Sequence, residues 1–155
     1  MLEPGTTAPI FEVKDQFGQP VKLADYLGRW LVLWWYPKAN TEGCSLEGAM
    51  FRSSYDDFVA LDAEVLGISF DLPEDNCVWS EISEFPFRLL SDPDHAVGSA
   101  YEVEREQGDR FAGMPKRITY LIDPEGVIRE SYEVAHTDIS SHPHSVLADL
   151  GRFLS

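Results

Sequence analysis

The sequence has 155 residues, and its 12 basic against 27 acidic residues give a formal net charge of −15 at pH 7. Nucleic acids and anionic membranes are themselves densely negative, so this charge opposes binding to either of them. The length suits one domain with one core, and no linker or low-complexity tract interrupts the chain. We therefore expect a single domain over 1–155 with a solvated acidic surface, no nucleic-acid partner and no membrane partner.

Cysteine use and the N-terminal residues bear on the compartment. Residues 1–9 show no basic segment followed by an apolar stretch, so we expect no secretory signal. The apolar run Trp30–Tyr36 is far too short to span a bilayer. Two cysteines, Cys44 and Cys77, are too few for a disulfide scaffold and lack the Cys-x-x-Cys spacing of thioredoxin-type redox centres. These features predict a reducing, cytoplasmic setting.

The first half of the chain predicts a hairpin, a buried strand and a long helix. Apolar and polar residues alternate over 11–14 and 21–23, around the turn formers Gly18-Gln19-Pro20, which indicates a small hairpin. The continuous apolar run from Trp30 to Tyr36 is typical of a strand buried on both faces. The following helix is predicted from Cys44 to about Ala60, because apolar residues recur there at helical spacing: Ala49, Met50, Phe51, Tyr55 and Phe58.

The second half continues the alternation of strands and helices. We predict, in order, a strand over 64–69, a helix over 74–84, a strand over 87–90, a helix over 96–101, strands over 117–122 and 127–132, and a helix over 145–154. Asp123-Pro124-Glu125-Gly126 is a good turn between the last two strands. The strand–helix–strand succession implies a parallel pair with a right-handed crossover, and therefore one layered α/β domain.

A lone cysteine stands where a loop rich in turn formers becomes a helix. The loop follows the first buried strand, and Cys44 falls in the first turn of the predicted helix. The first backbone N–H groups of a helix have no intrahelical acceptor and carry the positive end of its dipole, so they favour a thiolate over a thiol. Since only the thiolate is nucleophilic, we predict a reactive cysteine.

These residues resemble the peroxiredoxins of the bacterioferritin comigratory protein or Q subgroup. The family signature of Pro, three residues, Thr, two residues and Cys stands at Pro37, Thr41 and Cys44. Further matches follow in the family's order: Gly5 with Ala8-Pro9 and Phe11, then 23–28, 66–69, 89–92 and 117–123. The resemblance implies a thioredoxin-like fold, with a central mixed β-sheet flanked by helices and an N-terminal β-hairpin extension. It also implies a thiol peroxidase that reduces hydrogen peroxide and organic hydroperoxides without a cofactor.

The resemblance assigns a role to each residue of the predicted site. Cys44 is the expected nucleophile, which attacks a peroxide oxygen and becomes a sulfenic acid. Arg117 supplies a permanent cation beside the sulfur and donates hydrogen bonds to the peroxide. Thr41 offers its hydroxyl to the same cluster, and Pro37 shields the thiolate and sets the loop. Glu47, on nearly the same helix face as Cys44, is a candidate to orient Arg117.

Each of these residues also has a purely structural interpretation. Cys44 alone fits a small buried hydrophobe, Thr41 a helix cap, Pro37 a strand terminator and Arg117 a surface charge. Their occurrence together, in the family's order, favours the peroxidase site.

Two positions depart from the subgroup pattern. The subgroup commonly has proline two residues before the nucleophile, whereas Glu42 stands here and places a negative charge near the sulfur. Many members carry a second, resolving cysteine five positions after the nucleophile, where this chain has Ala49.

Cys77 is the remaining candidate for that second cysteine. It lies on the following predicted helix, about one turn before the position that other members use, where Ser80 stands. On this helix we predict an inward apolar stripe of Val78, Ile82 and Phe85, with Cys77 beside it.

We favour an intramolecular Cys44–Cys77 disulfide that thioredoxin recycles, in a protein that is a monomer or a weak homodimer. The alternatives are a one-cysteine enzyme resolved by glutathione or another external thiol, and a non-enzymatic binding module of the same fold, with Cys77 a spare half-packed residue.

Two other clusters invite functions that we do not predict. Three histidines lie close in sequence: His136, His142 and His144. No cysteine or carboxylate pattern completes a tetrahedral site with them, so we expect caps and solvated turns and no metal. An aromatic cluster precedes the Cys44 loop: Trp30, Trp34, Trp35 and Tyr36. Without accompanying basic residues, core or interface packing is favoured over base stacking.

Overall fold

A seven-stranded mixed sheet forms the centre of the computed structural model, which describes all residues, 1–155. The strands are β1 Glu12–Asp15, β2 Pro20–Lys22, β3 Trp30–Trp35, β4 Ala63–Ser69, β5 Arg88–Ser91, β6 Ile118–Ile122 and β7 Ile128–Glu133. The helices are α1 Glu42–Ala60, α2 Pro73–Ser83, α3 Ala96–Ala100 and α4 His142–Leu154. The mixed α/β architecture predicted from the sequence is confirmed.

The sheet has the order β2-β1-β5-β4-β3-β6-β7. Strand β4 pairs in parallel with both β3 and β5, as the strand–helix–strand succession predicted. Strands β6 and β7 form the expected antiparallel hairpin, and β6 also pairs antiparallel with β3. The N-terminal β1–β2 hairpin extends the sheet through an antiparallel pairing of β1 with β5. The start of β6 therefore lies next to the end of β3, where the Cys44 loop begins.

Strand β3 separates two apolar clusters because its side chains alternate between the faces of the sheet. Leu31, Leu33 and Trp35 belong to the cluster on one face. The alternate residues of this run, Trp30, Val32, Trp34 and Tyr36, belong to the cluster on the other face. That cluster also contains Cys44 and buried side chains of α1, α2 and α4. The predicted core packing of this aromatic run is confirmed, since none of these residues is more than 7% exposed.

Some element bounds differ from the predictions. Helix α1 begins at Glu42, two residues earlier than predicted, and α4 begins at His142 rather than near Ser145. Proline is favourable at the first positions of a helix, and Pro143 stands there in α4. Two short 3₁₀ helices, Leu23–Tyr26 and His136–Asp138, were not predicted. No helix has the length and apolar character that a membrane span requires.

The predicted inward face of α2 is wrong. Val78 and Ile82 are 55% and 67% exposed, while the helix buries Asn76, Trp79 and Ser80. The spacing of apolar residues predicted the wrong face because the buried face of α2 is partly polar, and its polar atoms have hydrogen-bond partners. Asn76 accepts a hydrogen bond from the Tyr36 hydroxyl at 2.7 Å and donates one to Ser91 Oγ at 3.0 Å.

Candidate active site

The loop between β3 and α1 is held by hydrogen bonds at the end of the sheet. The Ala39 N–H donates to Asp71 Oδ2 at 2.8 Å, and Ser69, at the end of β4, donates its hydroxyl to the same oxygen. Asn40 has a φ of 60°, in the left-handed region that asparagine tolerates. Pro37 is half-buried at the start of this loop. The path of the chain into α1 is therefore fixed by contacts with β4.

Thr41 is the N-cap residue of α1, but its hydroxyl does not cap the helix. Instead, Thr41 Oγ1 donates to the Lys38 carbonyl oxygen at 2.7 Å, and the side chain is exposed. Its carbonyl accepts the first helical hydrogen bond, from the Ser45 N–H at 2.8 Å. Cys44 is thus the third residue of α1, in the first turn, as predicted. The N–H groups of Gly43 and Cys44 lie where a helix offers no internal acceptor.

Arg117 contacts Cys44, although the two residues are 73 positions apart in the sequence. It directly precedes β6, and its Nη1 lies 3.5 Å from Cys44 Sγ and 2.7 Å from Glu47 Oε1. The Cys44 side chain is fully buried, and the Arg117 side chain is 15% exposed. Burial by itself lowers the pKa of Arg117, but the facing negative charges of Cys44 and Glu47 outweigh it and the pKa is raised. The guanidinium therefore stays charged beside the sulfur.

Glu47 lies one helical turn after Cys44 and has no exposed surface. Burial raises the pKa of Glu47 to about 7, although the Arg117 charge and hydrogen bond oppose that rise. One guanidinium therefore contacts both the Cys44 sulfur and the Glu47 carboxylate. Negative charge on either group disfavours negative charge on the other.

The raised pKa of Glu47 predicts a specific pH dependence of stability. Between pH 4.5 and about 7 the native carboxyl holds a proton that the unfolded chain releases, so this group's contribution to the free energy of unfolding falls as the pH rises. In Glu47→Gln that loss is absent. We expect the free energy of unfolding of the variant, relative to the wild type, to rise by up to about 1.4 kcal/mol per pH unit across this range. Urea unfolding at several pH values measures it, and parallel curves for the two proteins would contradict the assignment.

Gly43 leaves room for the guanidinium. A Cβ at this position would lie 3.1 Å from Arg117 Nη2 and 3.5 Å from Ile139 Cδ1. A carbon–nitrogen contact of 3.1 Å is tighter than most non-bonded contacts, so the guanidinium would have to move by a few tenths of an ångström. The sequence draws attention only to the backbone N–H of Gly43, because the approach of Arg117 is a long-range contact that leaves no local pattern.

Gly43→Ala is therefore expected to displace Arg117 from Cys44 and to slow the oxidation of Cys44 by peroxide roughly tenfold, through lost charge stabilisation. Stopped-flow measurement of the oxidation rate tests this. Gly151→Ala is the matched control, because a Cβ at Gly151, on α4, meets no atom within 4 Å. An unchanged oxidation rate in Gly43→Ala would show that the contact with Arg117 does not matter for the reaction.

A cavity of about 610 Å³ opens above the Cys44 turn. Three of the predicted site residues, Pro37, Thr41 and Arg117, contribute to its walls together with Gly43, whereas Cys44 and Cys77 do not. The rest of its lining combines basic, acidic and apolar side chains, among them Lys38, Arg105, Lys116, Asp109, Glu133, Phe111, Met114 and Ile139. Arg117 joins this cavity to the Cys44 sulfur, which is not itself exposed.

Cys77 lies on α2 and is half-buried. Its Sγ is 3.9 Å from Glu81 Oε1, and both cysteines are free thiols. Helix α2 is tied to the start of α1 by a hydrogen bond from Trp79 Nε1 to Ser45 Oγ at 3.1 Å. Cys77 therefore does not join the Cys44–Arg117 cluster in this structure.

His142 is a part of this region that sequence reasoning missed. The sequence predicts a solvated turn there, whereas His142 is 5% exposed and its Nε2 lies 2.8 Å from Thr119 Oγ1 and 3.9 Å from Glu47 Oε2. Burial, assisted by the Arg117 charge, lowers the pKa of His142 to about 4. His136 and His144 are exposed instead.

A buried cysteine in the first turn of a helix, beside an arginine that also contacts a buried carboxylate, is a candidate thiol-based redox site on an α/β sheet. Comparisons with known proteins identify the kind of enzyme that carries it. The model of the AhpC/TSA family matches residues 4–131. The chain is 37% identical over 153 residues to "Peroxiredoxin Bcp" of Bacillus subtilis, covering 96% of this chain and 97% of that protein.

Other relatives agree. "Peroxiredoxin Bcp" of Escherichia coli strain K12 is 36% identical over 149 residues, covering 94% of each chain. Among solved structures, peroxiredoxin Q of Xylella fastidiosa superposes with a TM-score of 0.92 at 29% identity, covering 100% of this chain and 99% of that one. Peroxidoxin BcpB of Mycobacterium tuberculosis gives a TM-score of 0.84 at 29% identity, covering 96% and 98%. The thioredoxin-like fold is confirmed, and the chain belongs to the AhpC/TSA family as a peroxiredoxin, a thiol peroxidase.

Proposed function

We propose that Cys44 is the peroxidatic cysteine of this enzyme. The observation that carries the assignment is the contact of Arg117 Nη1 with Cys44 Sγ at 3.5 Å, because it places a permanent cation on the atom that must be ionised. The first-turn N–H groups of α1 add to the same effect. Glu42 is exposed at the first position of α1 and opposes it from the solvent side, where charge is screened.

The chemical step is a two-electron oxidation of the sulfur. The Cys44 thiolate attacks the terminal oxygen of a hydroperoxide, an S–O bond forms and the O–O bond breaks. The attacked oxygen keeps its hydrogen, so Cys44 becomes a sulfenic acid, and the leaving hydroxide or alkoxide takes a proton from water. Negative charge moves from sulfur to the leaving oxygen, and donors that face that oxygen stabilise the transition state.

Arg117 and the α1 N-terminus supply those donors. Arg117 has further N–H groups beyond the Nη1 that it shares between Cys44 and Glu47. Thr41 is proposed to turn its hydroxyl from the Lys38 carbonyl towards bound peroxide, because Thr41 and Arg117 line the same cavity. Pro37 is proposed to keep water from the sulfur. Because the sulfur has no exposed surface, peroxide reaches it only when the side chains over it move aside.

The cavity supports organic hydroperoxides as substrates beside hydrogen peroxide. Its apolar side chains, Phe111, Met114 and Ile139, offer contacts to an alkyl group whose peroxide end points to Arg117. The related bacterioferritin comigratory protein of Xanthomonas campestris, whose structure is solved, has alkyl peroxide reduction activity.

For resolution, we keep the Cys44–Cys77 disulfide as the proposal, with thioredoxin as reductant. The two sulfurs reach bonding distance only if α2 moves away from its present position. Two hydrogen bonds hold it there, one between Trp79 and Ser45 and one between Asn76 and Tyr36. The alternative, which needs no movement of α2, is a one-cysteine enzyme in which an external thiol attacks the sulfenic acid. A single domain over 1–155, a monomer or weak homodimer, and a cytoplasmic location likewise stay proposals.

Intact mass spectrometry after one equivalent of peroxide separates the two routes. If Cys77 resolves, the wild type loses two hydrogens, because two thiols become a disulfide. Cys77→Ser then gains one oxygen instead, because Cys44 stays a sulfenic acid. A wild type that also gains one oxygen would exclude Cys77 as the resolving residue.

A further inference from the structure

One oxygen of the buried carboxylate next to the active site has no hydrogen-bond partner. Glu47 Oε1 accepts from Arg117, but Oε2 is fully buried and accepts from no group. A buried, unsatisfied oxygen on an ionisable carboxyl is costly, and such groups in native proteins call for an explanation. Glu47 holds Arg117, and the inference that follows rests on the proposed function, which depends on the contact of Arg117 with Cys44.

His142 presents a potential donor to this oxygen. Its Nε2 lies 3.9 Å from Glu47 Oε2 and 2.8 Å from Thr119 Oγ1. The imidazole is held between two aromatic rings, with interplanar angles of 90° to Phe51 and 69° to Tyr132. A hydrogen bond between Nε2 and Oε2 requires these two atoms to come closer by less than about 1 Å.

The positions of these groups follow from three elements. Glu47 and Phe51 are one turn apart on α1, and so share a face of that helix. Arg117 and Thr119 are two residues apart at the start of β6, so their side chains share a face of the sheet. His142 is the first residue of α4, which packs on the same side. The titratable and charged groups that face Glu47 are Cys44 on its own helix, Arg117 before β6 and His142 on α4.

We propose that His142 and Thr119 are positioning residues of the Cys44 site. The Nε2–H of neutral His142 donates to Glu47 Oε2 when Glu47 is ionised, and to Thr119 Oγ1 when Glu47 is protonated. With both oxygens held, the ionised carboxylate keeps Arg117 on the Cys44 sulfur, and this positioning outweighs the repulsion between the carboxylate and the thiolate. Thr119 Oγ1, as an acceptor, keeps the proton on Nε2 and holds the imidazole in the orientation that faces Glu47. Arg117 and His142 therefore hold Glu47 from its two sides.

Neutral imidazole is what this arrangement needs, because a protonated His142 would add a second buried cation beside Arg117. Burial and the Arg117 charge both lower the pKa of His142, to about 4, so the imidazole is neutral at physiological pH. Loss of the His142 donor removes a hydrogen bond from the charged form of Glu47 only. The pKa of Glu47 should then rise further above its ordinary range.

The test is the pH profile of Cys44 oxidation by hydrogen peroxide in the full-length protein. His142→Phe keeps a ring between Phe51 and Tyr132 and removes the donor, whereas His142→Gln keeps an N–H donor. We expect the pH at which the oxidation rate is half-maximal to rise by about one unit in His142→Phe, the size set by loss of a hydrogen bond to a charged group. We expect His142→Gln to restore most of that shift.

A second pair of variants, at Thr119, keeps the proposal testable if a His142 variant fails to fold. Thr119→Val removes the hydroxyl at nearly constant shape and should shift the profile in the same direction, whereas Thr119→Ser should match the wild type. If both His142→Phe and Thr119→Val match the wild type, or if His142→Gln is no better than His142→Phe, the positioning role is refuted. Should the wild-type Cys44 itself fail to oxidise, the proposed function fails instead, which is a separate result.

Discussion

Cys44→Ser should abolish peroxide reduction, lowering turnover by more than about a thousandfold. A serine hydroxyl in the same first turn of α1 is not ionised at neutral pH, and oxygen cannot form the sulfenic acid through which the two electrons pass. The fold should survive, because the substitution conserves shape at a position packed in the apolar cluster on one face of the sheet. The measurement is peroxide consumption with a thiol reductant in excess.

Cys77→Ser is the matched control for that result. It changes the other cysteine in the same way, and it should leave the first oxidation of Cys44 at the wild-type rate. Loss of the first oxidation in Cys77→Ser, together with its retention in Cys44→Ser, would mean that Cys77 is the primary nucleophile. Retained turnover in Cys44→Ser would remove the basis of the whole site assignment.

Arg117→Ala should slow the oxidation of Cys44 by about a hundredfold to a thousandfold. The guanidinium lies 3.5 Å from the sulfur, and removal of one preorganised donor to developing negative charge typically costs that much. Stability should fall as well, because the substitution leaves Glu47 buried without its partner. Stopped-flow fluorescence is a suitable readout, since Trp79 is hydrogen-bonded to Ser45, next to the reacting residue.

Two variants separate the charge of Arg117 from its position. Arg129→Ala removes an arginine on β7 that pairs with Asp123 and is 42% exposed, so it should leave the oxidation rate unchanged. Arg117→Ala combined with Glu47→Gln should regain stability but not the rate, because the buried charge is removed while the cation is still missing. Recovery of the rate in the double variant would indicate that Arg117 serves only to neutralise Glu47.

Most of the sheet was predictable because its strands carry local signals. The seven-residue apolar run that predicted β3 is sufficient on its own to indicate a strand buried on both faces, and the turn at Asp123-Pro124-Glu125-Gly126 marks the β6–β7 hairpin. The place of Cys44 in the first turn of α1 also followed from local pattern, since a turn-rich loop gives way there to helical spacing. Its contact with Arg117 was expected from the family resemblance alone.

The misses share a physical cause, which is that buried polar groups are specified by distant partners. Apolar spacing places Val78 and Ile82 on the inward face of α2, although Asn76 is buried there with the Tyr36 hydroxyl as its partner. The sequence around His142 predicts a solvated turn, although Thr119 and the rings around the imidazole hold it inside. A polar residue gives no periodic signal of burial, because its burial depends on a donor or acceptor elsewhere in the chain.

The proposed mechanism depends on the ionisation of one sulfur by one guanidinium, and thiolate absorbance in the ultraviolet reports that ionisation directly. The measurement is a pH titration of Cys77→Ser, in which Cys44 is the only thiol, beside the same protein carrying Arg117→Ala. We predict that the thiolate absorbance of Cys44 develops at higher pH in the protein that carries Arg117→Ala, because the cation beside the sulfur is removed. Superimposable titrations of the two proteins would contradict the mechanism, whatever their peroxidase rates.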